Sequence, residues 1–208
     1  GPQQRRLLEL ARELGVATFP QFSEGKKILD VCGKVSTYRG TIPKLSLISA
    51  MEIGWVQSRW ESLRKQIPLD TPWTAPKAKR WDAETVASWV RRHARTSTAR
   101  ALVDIVVRAI FCAEASEVSF LYFLSYLQSG DGLDVLAGIQ GGAQQERFVG
   151  GAQQISQRMA DALGDRVVLA NPVRAIQQHD DGVTVRTDHG SYEGQFVIVA
   201  IPPALAGR

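Results

Sequence analysis

The chain has 208 residues, of which 44% are hydrophobic and 22% charged, with a net charge of +4. This composition excludes disorder, collagen and coiled coil as whole-chain architectures and allows one or two domains. The most apolar stretch, residues 101–111, is interrupted by Asp104 and Arg108, well short of the roughly 20 apolar residues that span a bilayer, so no membrane segment is expected.

The charge is uneven. Residues 1–100 hold 18 Lys+Arg against 9 Asp+Glu, and residues 101–208 hold 7 against 12. A basic half carrying Trp55, Trp60, Trp73, Trp81 and Trp89 admits a nucleic-acid reading, since cations release counterions and indoles stack on bases. Acids interleave with these cations on the polar sides of amphipathic segments, so no nucleic-acid partner is expected. Two cysteines, Cys32 and Cys112, cannot build a disulfide framework, and a reducing, cytoplasmic setting is the expectation. The chain opens on Gly1-Pro2 without a leader pattern, the expectation being either that the first residues have been removed or that this is a piece of something longer.

In chain order, Leu7, Leu10, Ala11 and Leu14 form one helical stripe, with Pro2 suited to the first turn and Gly15 to the C-terminal cap. Ile28–Val31 and Lys34–Tyr38 are β-prone runs around a Cys32-Gly33 turn, and a loop with Gly40 and Pro43 follows. Residues 46–67 carry apolar positions three or four apart and should form a helix that stops before Pro68; residues 68–76 are a proline-rich loop. Asp82 is the expected cap of a helix through Val86, Trp89 and Val90. Ser97 or Thr98 should start the next helix and Ser116 another, ending near Gly130. Glycines crowd 138–151, where the pentapeptide GGAQQ occurs twice, at 141–145 and 150–154, too little for a repeat architecture. A helix should run from Gly151 to about Leu163, ended by Gly164. Strands are expected at Val167–Ala170, Val173–Gln178, Val183–Thr187 and residues 196–201. Asp180-Asp181-Gly182 is a hairpin turn, and the last run is apolar on both faces, as in a strand covered on both sides. The fold class is therefore α+β, mainly helical over residues 46–130 and strand-rich from 166.

Pattern alone assigns no chemistry. Neither G-x-G-x-x-G nor a P-loop occurs. Gly150-Gly151 before a helix puts free N–H groups where an anion can bind, but double glycines there are more often steric. His93, His179 and His189 lack companions at metal-ligand spacing, so no metal site is expected. Cys112, inside a predicted helix, reads as a small buried hydrophobe, and Glu114 and Glu117 as a buried and a capping acid.

Four groups of residues carry a resemblance: Gly141-Gly142-Ala143-Gln144-Gln145-Glu146-Arg147-Phe148-Val149-Gly150-Gly151; Gln153-Gln154-Ile155-Ser156; Leu163-Gly164-Asp165-Arg166-Val167 with Asn171-Pro172-Val173; and Val199-Ala200-Ile201-Pro202-Pro203. With Cys112-Ala113-Glu114-Ala115-Ser116-Glu117-Val118-Ser119, Pro72-Trp73-Thr74-Ala75-Pro76 and Tyr38-Arg39-Gly40 upstream, the series resembles the middle of a flavin-dependent monoamine oxidase over essentially the whole chain. It is most similar to the soluble bacterial members.

The resemblance implies an FAD-binding α/β domain built from separated segments, here 1–15 and 148–208, with a mainly helical substrate domain at 16–147. It implies FAD as cofactor, a small amine and oxygen as reactants, and an aldehyde, ammonia and hydrogen peroxide as products. Val173 matches a valine whose backbone contacts the adenine end of FAD. Gln144 matches a glutamine beside the substrate, Ala109 and Ile110 match cavity-wall positions, and Ala137 matches a gating position. Ala109 and Ile110 equally suit plain helix core, and Gln144 a surface amide. No catalytic residue is carried over. The family's G-x-G-x-x-G unit and its flavin-proximal lysine have no counterpart here, so this chain by itself is expected neither to hold FAD tightly nor to turn over amines. Without covering segments, residues 196–201 are expected either to pair with another copy of the chain or to leave a large apolar patch. Rival readings are a non-enzymatic interaction module on the same fold, and part of a polyamine or amino-acid oxidase.

Overall fold

A computed structural model describes residues 1–40 and 43–206. These fall into two compact units, one from Gly1 to Ile155 and one from Ser156 onward. The expected loop around Gly40 and Pro43 includes residues 41–42, which lie outside the described residues.

The first unit opens with helix α1 (Arg5–Glu13), preceded by a turn that holds Pro2 and followed by Gly15 at φ 68°. Its apolar stripe delivers Ala11 to a small core with Val16 and Ile155, flanked by Leu10, Leu14 and Phe148. Strand β1 (Thr18–Pro20) is followed by a hairpin of β2 (Lys27–Val31) and β3 (Lys34–Tyr38), paired antiparallel from Lys27–Tyr38 to Val31–Lys34. Its two turn residues, Cys32 at φ 53° and Gly33 at φ 72°, both take the left-handed backbone that a tight hairpin turn of matching twist requires.

The long apolar pattern becomes helix α2 (Leu47–Arg64), capped by the Ser46 hydroxyl, which accepts from the Ser49 amide. After a 3-10 turn at Pro72–Thr74 come α3 (Ala78–Asp82), α4 (Val86–His93), α5 (Ser97–Phe111) and α6 (Phe120–Ser129). Each of the last three helices starts at a cap other than the expected one. Thr85, in a reciprocal box with Ser88, caps α4; Asp82 instead ends α3 and accepts from the Ser119 hydroxyl. Thr96 caps α5 and Ser119 caps α6, displacing Ser97, Thr98 and Ser116. A short helix α7 (Leu133–Ala137) and strand β4 (Glu146–Phe148) complete the unit, with β4 antiparallel to β1. Neither β1 nor β4, at three residues each, carries enough pattern to be read in advance.

The main core fills the space among α2 to α6. Phe120, Phe123, Leu124, Leu127, Val56, Val86 and Val107 are fully buried in it, together with Trp60, Trp81 and Trp89. Burying each such side chain contributes roughly 1.5–3 kcal/mol before entropy is subtracted. Rings order the centre: Trp60 meets Phe123 edge-on at 4.7 Å and Phe120 stacks on Trp89 at 4.8 Å. The Trp60 indole N–H has no hydrogen-bond partner among the described residues.

Helix α8 (Gln153–Leu163) runs into a 3-10 turn at Gly164–Arg166. The second unit then forms a three-stranded antiparallel sheet, β5 (Val173–His179), β6 (Gly182–Thr187) and β7 (Gly190–Gly194), in the order β5-β6-β7. A single turn of helix, α9 (Pro203–Ala206), ends the described residues. The Asp180–Gly182 turn joins β5 to β6 as expected, whereas β7 (Gly-Ser-Tyr-Glu-Gly) was too polar and glycine-rich to read as a strand.

Two expected strands do not form. Residues 167–170 lie outside every described strand, with Ala170 in the left-handed region at φ 53°. Residues 196–201 also belong to none, and Phe196 and Ile198 are 90% exposed, as expected of a run without covering segments. An apolar run reports a demand for burial, but a strand exists only when a neighbour accepts its backbone hydrogen bonds. The two GGAQQ segments also differ, one forming a loop and the other leading into α8. Cys112 is corrected as well: it is exposed at the α5 C-cap, at φ 51°. Glu114, expected to be buried, is exposed and paired with Arg108 at 2.7 Å, whereas Glu117 accepts from the Glu114 amide as a capping acid does.

Candidate functional site

Ala109 and Ile110 occupy the last turn of α5, Ala109 exposed and Ile110 half-buried. The helix stops there because Cys112 turns left-handed while its amide still donates to the Arg108 carbonyl. Along the same helix, burial pushes the Asp104 carboxyl above the ordinary carboxylate range, against the opposing pull of Arg108. The start of α5 is fixed from α2. Glu52 accepts from the Thr96 hydroxyl at 2.6 Å and from the Thr96 and Arg95 amides at 2.9 and 2.8 Å, and these bonds hold its carboxyl below the usual range.

Helix α7 packs beside α5 and ends in the exposed Ala137. The loop that follows folds back on α7. Ala143 donates its amide to the Val135 carbonyl at 2.8 Å, and Gln144 donates its amide to Gly138 at 3.0 Å. The Gln144 side-chain nitrogen donates to the Leu136 carbonyl at 3.3 Å. Ala109, Ile110, Ala137 and Gln144 therefore sit on three neighbouring segments of the first unit. All four are small, apolar or uncharged, and what they can offer a ligand is shape and one amide.

Val173 is in the second unit, at the first position of β5 and half-exposed. β5 is the outer strand of its sheet, so one backbone edge has no strand partner among the described residues. Residues on both sides of Val173 are pinned to the β6–β7 turn. Arg174 grips Asp188 with two bonds of 2.7 and 2.8 Å, which hold Asp188 below the ordinary carboxylate range. Asn171 accepts from the His189 amide at 3.2 Å and donates to the Tyr192 hydroxyl at 3.1 Å. Asn171 and Arg174 escaped the sequence reading because their partners are 14 to 21 residues away, a spacing that belongs to no local motif.

Other candidates reduce to structure. At Gly150-Gly151 the Gln154 side chain folds back to donate to the Val149 carbonyl at 2.7 Å, which supports the steric account of the glycine pair. His93 stacks on Trp89 at 4.1 Å and on Trp55 at 5.5 Å, with Nδ1 2.7 Å from the Trp89 carbonyl. Among the described residues no cluster of His, Cys, Asp or Glu can hold a metal ion. An open cleft of about 570 Å³ lies among Trp73, Lys77, Lys79, Arg80, Asp82 and Leu121; none of the sequence-predicted site residues lines it. Among the described residues no helix is long and apolar enough to cross a membrane.

A nucleotide such as FAD needs an edge for its adenine and a cradle for its pyrophosphate. The free edge of β5 at Val173 suits the first, since a strand edge offers a donor and an acceptor side by side. For the pyrophosphate, the sequence lacks the glycine fingerprint that opens a helix N-terminus to phosphate.

The family described as flavin containing amine oxidoreductase matches residues 1–207. A Mycobacterium tuberculosis protein named as a flavin-containing monoamine oxidase, AofH, is 42% identical over 204 residues, covering 98% of this chain and 45% of the relative. Human flavin-containing amine oxidase B is 37% identical over 207 residues, covering 99% of this chain and 40% of the relative. Among solved structures, cyclohexylamine oxidase from Brevibacterium oxydans superposes with a TM-score of 0.92 at 30% identity, covering 99% of this chain and 46% of that one. Putrescine oxidase bound to putrescine gives a TM-score of 0.89 at 29% identity, with the same coverage. The chain thus spans less than half the length of the relatives it matches.

Proposed function

The chain belongs to the flavin containing amine oxidoreductase family, and we propose that it serves in an FAD-dependent oxidase that converts amines to aldehydes with release of ammonia and hydrogen peroxide. The observation that carries this reading is the family match along residues 1–207, supported by relatives named as amine oxidases over nearly the whole chain. The redox chemistry would be supplied by FAD when bound, as acceptor of two electrons from the amine and donor to oxygen.

The roles left to this chain's own residues are binding, orientation and exclusion of water. In this reading Val173 holds the adenine end at the β5 edge, with Asn171 and Arg174 fixing the strand there. Ala109, Ile110 and Ala137 form an apolar wall for the carbon skeleton of the amine, and Gln144 orients its polar end. Segments 1–15 and 148–208 serve the flavin and 16–147 the substrate.

We place the protein in a reducing, cytoplasmic setting, supported by two free, exposed cysteines. The partners in this reading are the amine and oxygen, and a second copy meeting it through residues 196–201. Light scattering that shows a strict monomer at all concentrations refutes that pairing.

The decisive experiment uses the protein expressed from its full reading frame and loaded with FAD. Anaerobic addition of a primary monoamine should bleach the visible flavin bands, and readmitted air should restore them with release of peroxide. Retention of FAD without bleaching by monoamines, diamines or amino acids overturns the proposal and favours a non-enzymatic role.

A further inference from the structure

Helix α7 is only five residues long, too short to hold itself. Its N-cap residue, Gly132, has no side chain to offer, so its first amides must be satisfied from elsewhere. The Leu133 amide is satisfied from α2, and a second bond from α2 fixes the Asp134 side chain. Glu61 Oε1 accepts from the Leu133 amide at 3.3 Å, and Gln57 donates to Asp134 Oδ1 at 2.8 Å. Glu61 is in turn held by Arg64 at 2.6 Å, and Arg64 also donates to Gln128 Oε1 on α6 at 2.9 Å and to the Asp131 carbonyl at 3.4 Å. The far end of α7 then presents the Val135 and Leu136 carbonyls, which receive Ala143 and Gln144. A continuous polar relay therefore joins α2 to the residue read above as the substrate amide.

From this relay we propose that Gln57, Glu61 and Arg64 are positioning residues that set substrate-size selectivity, acting through α7 on Ala137 and Gln144. The proposal rests on the reading that Ala137 and Gln144 line the amine cavity. Geometry gives the relay its direction. α2 is an 18-residue helix with Val56, Trp60 and Leu63 buried in the main core, so it is the fixed body and α7 the guided one. Arg64 is the hub: its side chain is 15% exposed, and its fork reaches α2, α6 and the turn before α7 at once. Release of Glu61 frees the first turn of α7 and lets Ala137 and Gln144 shift against the substrate. A bulky amine touches that wall and a small one does not.

The test compares Glu61→Ala, Glu61→Gln and Arg64→Ala with the unmodified protein, as flavin-loaded enzyme from the full reading frame. KM and kcat per bound flavin are measured for methylamine and for a phenylalkylamine. Glu61→Ala and Arg64→Ala should raise the ratio of the bulky to the small KM about tenfold, the scale expected when a positioned group drifts by part of an ångström. Glu61→Gln, which keeps an oxygen facing the Leu133 amide, should recover most of that change. An unchanged ratio in both alanine variants overturns the proposal, because a merely structural pair alters only the amount of folded, flavin-bound enzyme. Gln144→Ala separates the two layers. If it alters KM while the α2 variants do not, the cavity reading stands and the relay fails; if it alters nothing, the cavity reading falls first.

Discussion

Gly132 sits where the relay meets α7, at φ 102° and ψ 172°, a backbone state open essentially to glycine alone. A Cβ there would lie 2.7 Å from Glu61 Oε1 and 3.0 Å from Arg64 Nη2. Gly132→Ala should therefore cost about 1–3 kcal/mol in backbone strain, plus about 1 kcal/mol for the displaced Glu61–Leu133 hydrogen bond. The matched control is Gly54→Ala, inside α2, where nothing lies within 4 Å of the new Cβ and φ is helical. There the same methyl should stabilise by about 0.5–1 kcal/mol. Urea unfolding followed by tryptophan fluorescence measures both, because Trp60, Trp81 and Trp89 report on the core that α2 anchors. In a thermal scan read by the same fluorescence, the melting temperature should fall by roughly 5–15 °C for Gly132→Ala and rise by a few degrees for Gly54→Ala. Two variants of equal stability would refute the claim that the turn before α7 is moulded around Glu61 and Arg64.

Cys112 holds a left-handed C-cap at φ 51° with a side chain that disfavours it, so Cys112→Gly should stabilise by about 1 kcal/mol in denaturant unfolding. Phe123→Ala removes a fully buried ring that touches Trp60, Phe111 and Phe120, and should cost about 3–5 kcal/mol in the same assay. The two perturbed carboxylates predict opposite pH behaviour. The folded Glu52 carboxyl is lowered from 4.5, so its contribution is present above that pH and lost as pH falls toward the native value; Glu52→Gln should flatten the acid limb of stability. The folded Asp104 carboxyl is raised from 3.8, so the stability it contributes is present below that pH and lost as pH rises; Asp104→Asn should raise the urea midpoint at pH 7 and lose that gain below 3.8.

Cap choice marks where the sequence was legible and where it was not. The helices α1, α2, α4, α5, α6 and α8 follow from apolar spacing, and the 27–38 hairpin and the β5–β6 pair from β-prone runs around two turn signals. The starting residues of α4, α5 and α6 do not, because each start offers several residues able to cap: Asp82 and Thr85, then Thr96, Ser97 and Thr98, then Ser116 and Ser119. What selects among them is a partner outside the local segment or a reciprocal bond within it. Glu52 on α2 engages Thr96, Asp82 engages Ser119, and Ser88 returns a bond to Thr85. Residues 196–201 fail differently, since their apolar pattern states a need for cover and names no neighbour. For the candidate site, Gln144, Ala137 and Val173 came from resemblance to a family; amphipathic period says nothing about a five-residue helix or the first residue of an edge strand.

This division between legible and illegible parts has a physical origin that bears on function. A long helix such as α2 writes its own address, because many side chains contribute to one stripe and the sum exceeds the error of any one. Helix α7 contributes too few bonds to choose its own place, so its position is set by Glu61, Gln57 and the Val135 and Leu136 carbonyls at its two ends. An element held in that way can be re-aimed by changing one or two polar side chains on a neighbour while the core of Trp60, Phe120 and Phe123 stays intact. A fold of this kind can therefore change the shape of an amine cavity at little cost to stability. The residues that do so are expected on the buried-facing polar edge of α2, one helix removed from the wall they control.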